Sequence, residues 1–212
     1  MVESSSPRRA ERTKSDTDRM VFMQSDIERW NQKYRDGNPN PDFAPDPVLK
    51  TCVHLLDGKG TALDVACGVG HNAMFLARLG YEVVAIDASL AGLTYCREAM
   101  RGKGLRLSLI AADLENFPLP RAYFDVVLVI RYLYRPLIAR LKTTVKPGGL
   151  VIYQTFNLNY LREKPGFRRE YLLKPGELME RFADFEPIVT NDSPRIEENL
   201  TYWIGRRPPA PA

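Results

Sequence analysis

The sequence predicts an α/β protein: a seven-stranded, mostly parallel sheet with helices on both faces and a C-terminal antiparallel hairpin. Three observations predict it. Strand candidates at 61–66, 82–87, 105–111, 124–130 and 149–155 are interleaved with helix candidates at 71–79, 89–101 and 136–145, as in βαβ units. The runs Phe124–Ile130 and Leu150–Tyr153 are nearly continuous in apolar residues, which suits strands buried on both faces. After residue 155 the pattern changes, and two further strand candidates, 185–192 and 199–206, close the chain.

Each element has a local reason. Residues 1–20 are rich in Ser, Arg, Asp and Glu and nearly free of apolar side chains, so a disordered tail is expected there. Ser25 and Glu28 form a capping-box pattern for a helix over 26–35. Asn38-Pro39-Asn40-Pro41 reads as a loop. Asp46 and Pro47 read as cap and first residue of a helix running to about Leu56. Residues 112–123 contain two prolines and read as loop or short helix. Residues 156–174 are polar and basic, with Arg162, Lys164, Arg168 and Arg169, and Pro175–Phe182 reads as a short helix. The domain is thus expected over 21–207, with 208–212 as a short Pro-rich tail.

Bulk composition narrows the class. At 212 residues, 44% hydrophobic and 26% charged, one domain with a substantial core is expected. A net charge of +4 points only weakly to nucleic acid, which is an unlikely partner. Three cysteines without CxxC spacing read as reduced thiols of a cytoplasmic protein. Two histidines cannot supply a histidine-rich metal site, so no metal is expected. No apolar run reaches membrane-spanning length, and the N-terminus has no signal-peptide apolar segment.

The richest stretch is 61–70, Thr-Ala-Leu-Asp-Val-Ala-Cys-Gly-Val-Gly. A buried strand ends near Asp64, and Gly68 and Gly70 turn the chain into a helix. Such a turn is a ligand seat at the carboxyl end of a parallel strand, and its glycines let backbone approach a ligand closely. An acid placed before the glycines suits a ligand with a positive group, such as the amino-acid end of S-adenosylmethionine. Asp87 ends the second strand, where a carboxylate can take both hydroxyls of a ribose. Gly68-Val-Gly70-His-Asn-Ala73 also fits a dinucleotide fingerprint, so an NAD-dependent oxidoreductase stands as an alternative. That alternative lacks a recognisable hydride-transfer set such as Tyr-x-x-x-Lys. Asp125, at the start of its strand, reads as structural. Cys67 reads as a small packed residue. His71, at a helix start, is expected to be neutral, and neither is expected to be catalytic.

Asp64-x-x-x-Gly68-x-Gly70, Asp113-Leu114 after the third strand and Lys146-Pro-Gly-Gly-Leu150 before the fifth resemble class I S-adenosylmethionine-dependent methyltransferases. Trp30-Asn-Gln-Lys-Tyr34, Cys67-Gly-Val-Gly-His-Asn and Leu173-Lys-Pro-Gly-Glu-Leu178 resemble the tellurite-resistance and thiopurine-type small-molecule enzymes of that class. The chain departs from the tellurite group in lacking its C-terminal histidine-arginine pair. The resemblance implies a Rossmann-like fold and S-adenosylmethionine as cofactor. It places Asp64 at the amino end, Asp87 at the ribose and Asp113 with Leu114 at the adenine. Ala66, Gly68, Gly70 and Ile130 would line the site, and Trp30 and Tyr34 would close over it. N-P-P-[FYW] signatures are absent. Arg131, Tyr132 and Arg135, after the fourth strand, are the expected acceptor-side residues and suit an anionic or phenolic small molecule. No general base is evident. A non-catalytic binding module and an RNA methyltransferase are the remaining alternatives, and the oligomeric state is left open.

Overall fold

The computed structural model describes residues 26–37, 42–193 and 195–210. The expected tail 1–20, the Ser25 cap and the 38–41 loop lie outside the described residues, as do 211–212. Among the described residues, no helix is long and apolar enough to cross a membrane.

Helix α1 covers 26–35. The helix expected over 47–56 is broken. Only Val48–Thr51 (α2) is α-helical, and a 3-10 turn, Val53–Leu55, follows. The Thr51 hydroxyl donates back to the Val48 carbonyl at 2.7 Å, a side-chain bond that competes with helix continuation. Asp46 caps as expected, its Oδ1 accepting the Val48 N–H at 3.1 Å.

From residue 61 the elements follow the expected order. They are β1 (Thr61–Val65), α3 (His71–Leu79), β2 (Glu82–Asp87), α4 (Leu90–Met100), β3 (Leu107–Ala111) and β4 (Phe124–Ile130). There follow α5 (Arg135–Thr144), β5 (Val145–Phe156), α6 (Glu177–Arg181), β6 (Glu186–Thr190) and β7 (Leu200–Arg206). Gly80, at φ 115°, ends α3, and Ser89 starts α4 by accepting the Gly92 N–H.

The sheet order is β3-β2-β1-β4-β5-β7-β6. β1 to β5 run parallel, and β7 lies antiparallel between β5 and β6. β5 begins earlier than its apolar run. Phe124 pairs with Val145 but Val126 with Leu150, so Lys146–Gly149 bulges out of the ladder. Both faces are covered. Ala62, Leu128, Ile152 and Ile204 pack towards Met74 and Leu76 of α3, while Leu63, Val127, Val151 and Trp203 pack towards Leu137, Leu141 and Phe182. Adjacent strand residues thus feed opposite cores, which is why the strands read as continuous apolar runs. The carboxyl ends of β1, β2, β4 and β5 converge on one edge of the sheet.

Candidate functional site

β1 carries Asp64 in register between Ala85 of β2 and Leu128 of β4. Beyond Val65 the chain takes positive φ at Ala66 (56°), Gly68 (55°) and Gly70 (76°). The Cys67 N–H donates to the Ile86 carbonyl and the Gly70 N–H to the Cys67 carbonyl, which lock the turn before α3 begins. The sequence suggests ligand approach as the reason for the glycines. The protein's own packing supplies a second reason. A Cβ on Gly68 would lie 2.5 Å from the Tyr34 hydroxyl, and one on Gly70 2.1 Å from Cys96 Sγ.

Asp64 is buried, and its Oδ2 has no hydrogen-bond partner among the described residues. Burial, with the nearby Asp87 carboxylate, pushes its carboxyl up to about 8, although the Ala73 N–H partly offsets this. Asp87 is also raised by burial, against the N–H groups of Ser89, Gly68 and Ala88. Its Oδ2 accepts from Gly68 N–H and its Oδ1 from Ser89 N–H, each at 2.7 Å. It therefore anchors the glycine turn as well as facing the site. Two neighbouring carboxylates, both biased towards neutrality, make a site that gains by receiving a cation.

α1 covers this turn. Asn31 Oδ1 accepts from the Ser89 hydroxyl at 2.8 Å and from Ala91 N–H at 3.2 Å. Tyr34 is buried against Gly68 and Gly92. Trp30 stacks on Tyr34 at 5.7 Å but is itself exposed, with Lys33 Nζ 4.4 Å from its ring centre. Asp113, expected at the adenine, builds a local turn, its carboxylate accepting from Glu115 N–H and Asn116 Nδ2. Leu114 and Ile130 are buried beside it and at the end of β4 respectively.

The two arginines expected on the acceptor side differ. Arg135 is not available as an oxyanion clamp. Its guanidinium donates to both Glu177 oxygens (2.7 and 2.8 Å) and to the Glu170 and Leu172 carbonyls (2.6 and 2.9 Å). It ties the 169–174 segment to α6, and its partner lies 42 residues away, beyond the reach of local reading. Tyr132 is half-buried. Burial, then Glu115, holds its phenol above the ordinary range, and its carbonyl accepts from the Tyr153 hydroxyl at 3.0 Å.

Arg131 stands in a cluster that sequence reading missed. It has φ 57°, donates its N–H to the Gln154 carbonyl at 2.7 Å and places its guanidinium 3.3 Å from Asp46 Oδ2. Asp46 is buried. Its Oδ1 accepts from Gln154 Nε2 at 2.8 Å, and its N–H donates to Asn72 Oδ1 at 2.8 Å. His71, next to Asn72, has a buried Nδ1 with no partner among the described residues. Its imidazole is held neutral, as expected from sequence, but the main cause is burial. Asp46 opposes that shift and Arg131 adds to it. The signal was His71-Asn72 itself, two polar residues directly after the glycine turn. Cys67 and Cys96 are buried thiols, both raised first by burial. Asp125 is structural, as expected, bound by Thr61 and Lys146 at the opposite edge.

Comparison with known proteins adds to this geometry. Residues 62–149 match the family model of a methyltransferase domain. The chain is 37% identical over 103 residues to a ubiquinone biosynthesis O-methyltransferase of Ruegeria pomeroyi, a stretch covering 46% of this chain and 41% of that one. The chain spans about half the length of the curated relatives it matches. Among solved structures, a SAM-dependent methyltransferase from Aquifex aeolicus aligns with TM-score 0.61 at 19% identity, over 86% of this chain and 97% of that one. TehB from Haemophilus influenzae aligns with TM-score 0.62 at 18% identity, over 76% and 61%. The fold is the Rossmann-like methyltransferase fold, and the resemblance to class I S-adenosylmethionine-dependent methyltransferases is borne out.

Proposed function

We propose that this chain transfers a methyl group from S-adenosylmethionine to a small-molecule acceptor. The observation that carries the reading is the buried, unpartnered Asp64 Oδ2 beside Asp87. That pair fits a ligand with an ammonium group and a ribose diol. It disfavours NAD, whose pyrophosphate is anionic and which brings no ammonium. Asp64 would hold the amino group, Asp87 the ribose hydroxyls, and Asp113 with Leu114 the adenine. Ala66, Gly68, Gly70 and Ile130 would form the walls, and Tyr34, backed by Trp30, the roof.

When bound, S-adenosylmethionine supplies a methyl group already activated on a sulfonium. The chain's own work is then to align the acceptor and exclude water. The burial of Asp64, Ile130 and Leu114 supports a dry site. The name of the Ruegeria relative supports oxygen as the atom methylated. Arg131, half-exposed above Asp46, supports an acceptor with anionic or phenolic character. Three buried, unpaired thiols suit a cytoplasmic setting.

Titration calorimetry tests the cofactor. S-adenosylmethionine and S-adenosylhomocysteine should bind in the micromolar range, about −8 kcal/mol, and NADH should not. NADH binding without S-adenosylmethionine binding would overturn the reading. Methyl-labelled S-adenosylmethionine with a panel of hydroxylated aromatics then tests the acceptor class.

A further inference from the structure

A cavity of about 380 Å³ lies between the start of α5 and the segment that follows β5, lined by Arg135, Leu158, Arg169, Glu170, Leu172 and Lys174. Backbone bonds hold its walls. Leu158 N–H donates to the Leu173 carbonyl at 3.1 Å and Leu173 N–H to the Phe156 carbonyl at 2.9 Å, which pins the 169–174 segment to the end of β5. Arg135 grips the Glu170 and Leu172 carbonyls of the same segment. That size and that fixed backbone suit a small molecule. Arg135 opens α5 and Glu177 opens α6, on the face of the sheet that Leu63 and Val127 fill. Asp64 follows Leu63 along β1 and so points to the opposite face, apart from this cavity.

The lining is short of acid. Glu170, its one carboxylate, accepts from Arg168 Nε at 2.8 Å. Arg135 shares the buried Glu177 with Arg181, each placing its Nε 2.7 Å from Oε1, so one carboxylate answers two guanidinium groups. Arg169 and Lys174 are exposed, and their side chains have no partner among the described residues. Two unmatched cations and a third that is half-matched thus border one small opening, and they favour a multiply charged anion. Leu158 and Leu172 form the apolar part of the wall. They favour a ligand whose anionic head carries a short hydrocarbon group.

We propose that this cavity is a second ligand site, which takes a phosphomonoester bearing a short apolar group. Such a phosphate carries about −1.5 to −2 charges at neutral pH and three acceptor oxygens. Arg169 meets two of those oxygens side by side through its planar fork, and Lys174 meets the third as a point charge. Arg135 adds positive potential rather than a grip, because its guanidinium N–H groups are largely spent on Glu177 and on the Glu170 and Leu172 carbonyls. The hydrocarbon group lies against Leu158 and Leu172. A carboxylate is the poorer fit, since its single charge leaves one of the two free cations unanswered. The site stands apart from methyl transfer and does not rest on that reading.

Calorimetry on the full chain with butyl phosphate, inorganic phosphate and pentanoate tests this. Butyl phosphate should bind with a dissociation constant below about 1 mM. Inorganic phosphate, which lacks the hydrocarbon group, should bind about tenfold more weakly. Pentanoate, which lacks the second charge, should also bind about tenfold more weakly. The double variant Arg169→Gln/Lys174→Gln should lose about ten- to a hundredfold in butyl phosphate affinity. Its melting temperature should hold, because neither side chain has a partner to lose. Arg97→Gln/Arg101→Gln removes the same charge from exposed positions at the end of α4 and should change that affinity by less than about twofold. Saturating S-adenosylhomocysteine should leave butyl phosphate binding unchanged. Butyl phosphate binding no tighter than inorganic phosphate would mean an adventitious ion only and would overturn the proposal. So would no binding of butyl phosphate, pentanoate binding as tightly, equal losses in the two double variants, or displacement by S-adenosylhomocysteine. A parent that binds butyl phosphate as expected but does not bind S-adenosylhomocysteine would bring down the methyltransferase reading and leave this site standing.

Discussion

Asp125 and Asp64 sit on neighbouring strands of one sheet, at opposite edges and in opposite circumstances. Asp125, at the amino end of β4, accepts from Thr61 N–H (2.7 Å), Thr61 Oγ1 (3.1 Å) and Lys146 Nζ (2.8 Å). Burial pushes its carboxyl up, but the bonds from Lys146 and Thr61 outweigh it and hold the group below the usual range. Asp64, near the carboxyl end of β1, is buried with an unpartnered oxygen and raised to about 8. Its edge also holds the positive φ values of Ala66 and Arg131 and the unpartnered His71 nitrogen. One edge completes its own polar pairing, while the other keeps two buried polar atoms without a partner among the described residues. Variants at the two edges should therefore separate stability from binding.

The largest effect is expected at Asp64. Asp64→Asn should weaken S-adenosylmethionine by about 3–5 kcal/mol, because the ammonium loses its buried counter-charge. The same change should raise the melting temperature of the unliganded protein above neutral pH. The sign follows from linkage. Asp64 titrates near 8 when folded and near ~3.9 when unfolded. The unfolded chain thus releases its proton first, and Asp64 lowers stability as pH rises across that window. A variant less stable and equally tight would erase the contrast between the edges.

Asp87→Ala comes next. Its carboxylate holds the turn and, in the proposed reading, the ribose hydroxyls, so about 2–4 kcal/mol of cofactor affinity should go, together with some stability. Calorimetry and thermal melts should both move.

Glu177→Gln should do the converse. Burial raises this carboxyl, but Arg135, the Lys174 N–H and Arg181 together pull it to about 2. Its unfolded value is near ~4.3, so its contribution is complete above that pH and is lost as pH falls towards 2. The variant should lose about 2–3 kcal/mol of stability at neutral pH while cofactor affinity holds. Denaturant titration beside calorimetry checks this. Asp125→Ala should be mildest, about 1–2 kcal/mol of stability with unchanged affinity.

How far the sequence reached follows the same divide between local and distant pairing. Helix 71–79 lies between Gly70 and Gly80, and strands 82–87 and 124–130 are apolar runs with clear ends, so their boundaries agree with the structure. β5 starts early because Lys146–Gly149, which reads as a turn, is a bulge carried within the strand. The 47–56 helix breaks at Thr51, whose back-bond competes with the helix. The placement of Asp64, the two glycines and Asp87 at strand ends and in a turn is legible because those are local features. Arg135 misleads because Glu177 claims it from another helix. The Asp46–Gln154 bond spans 108 residues, so no spacing announces the His71 cluster.

The central claim is that Asp64 receives the cofactor's ammonium. Calorimetric titration with S-adenosylmethionine near neutral pH, repeated in buffers of different ionisation enthalpy, counts the protons exchanged on binding. Because Asp64 titrates near 8 without ligand and must ionise to pair with the ammonium, binding should release close to one proton. Release should fade as the pH rises past that value and be absent in Asp64→Asn. Tight binding with no proton release at neutral pH, or the same release from Asp64→Asn, would contradict it.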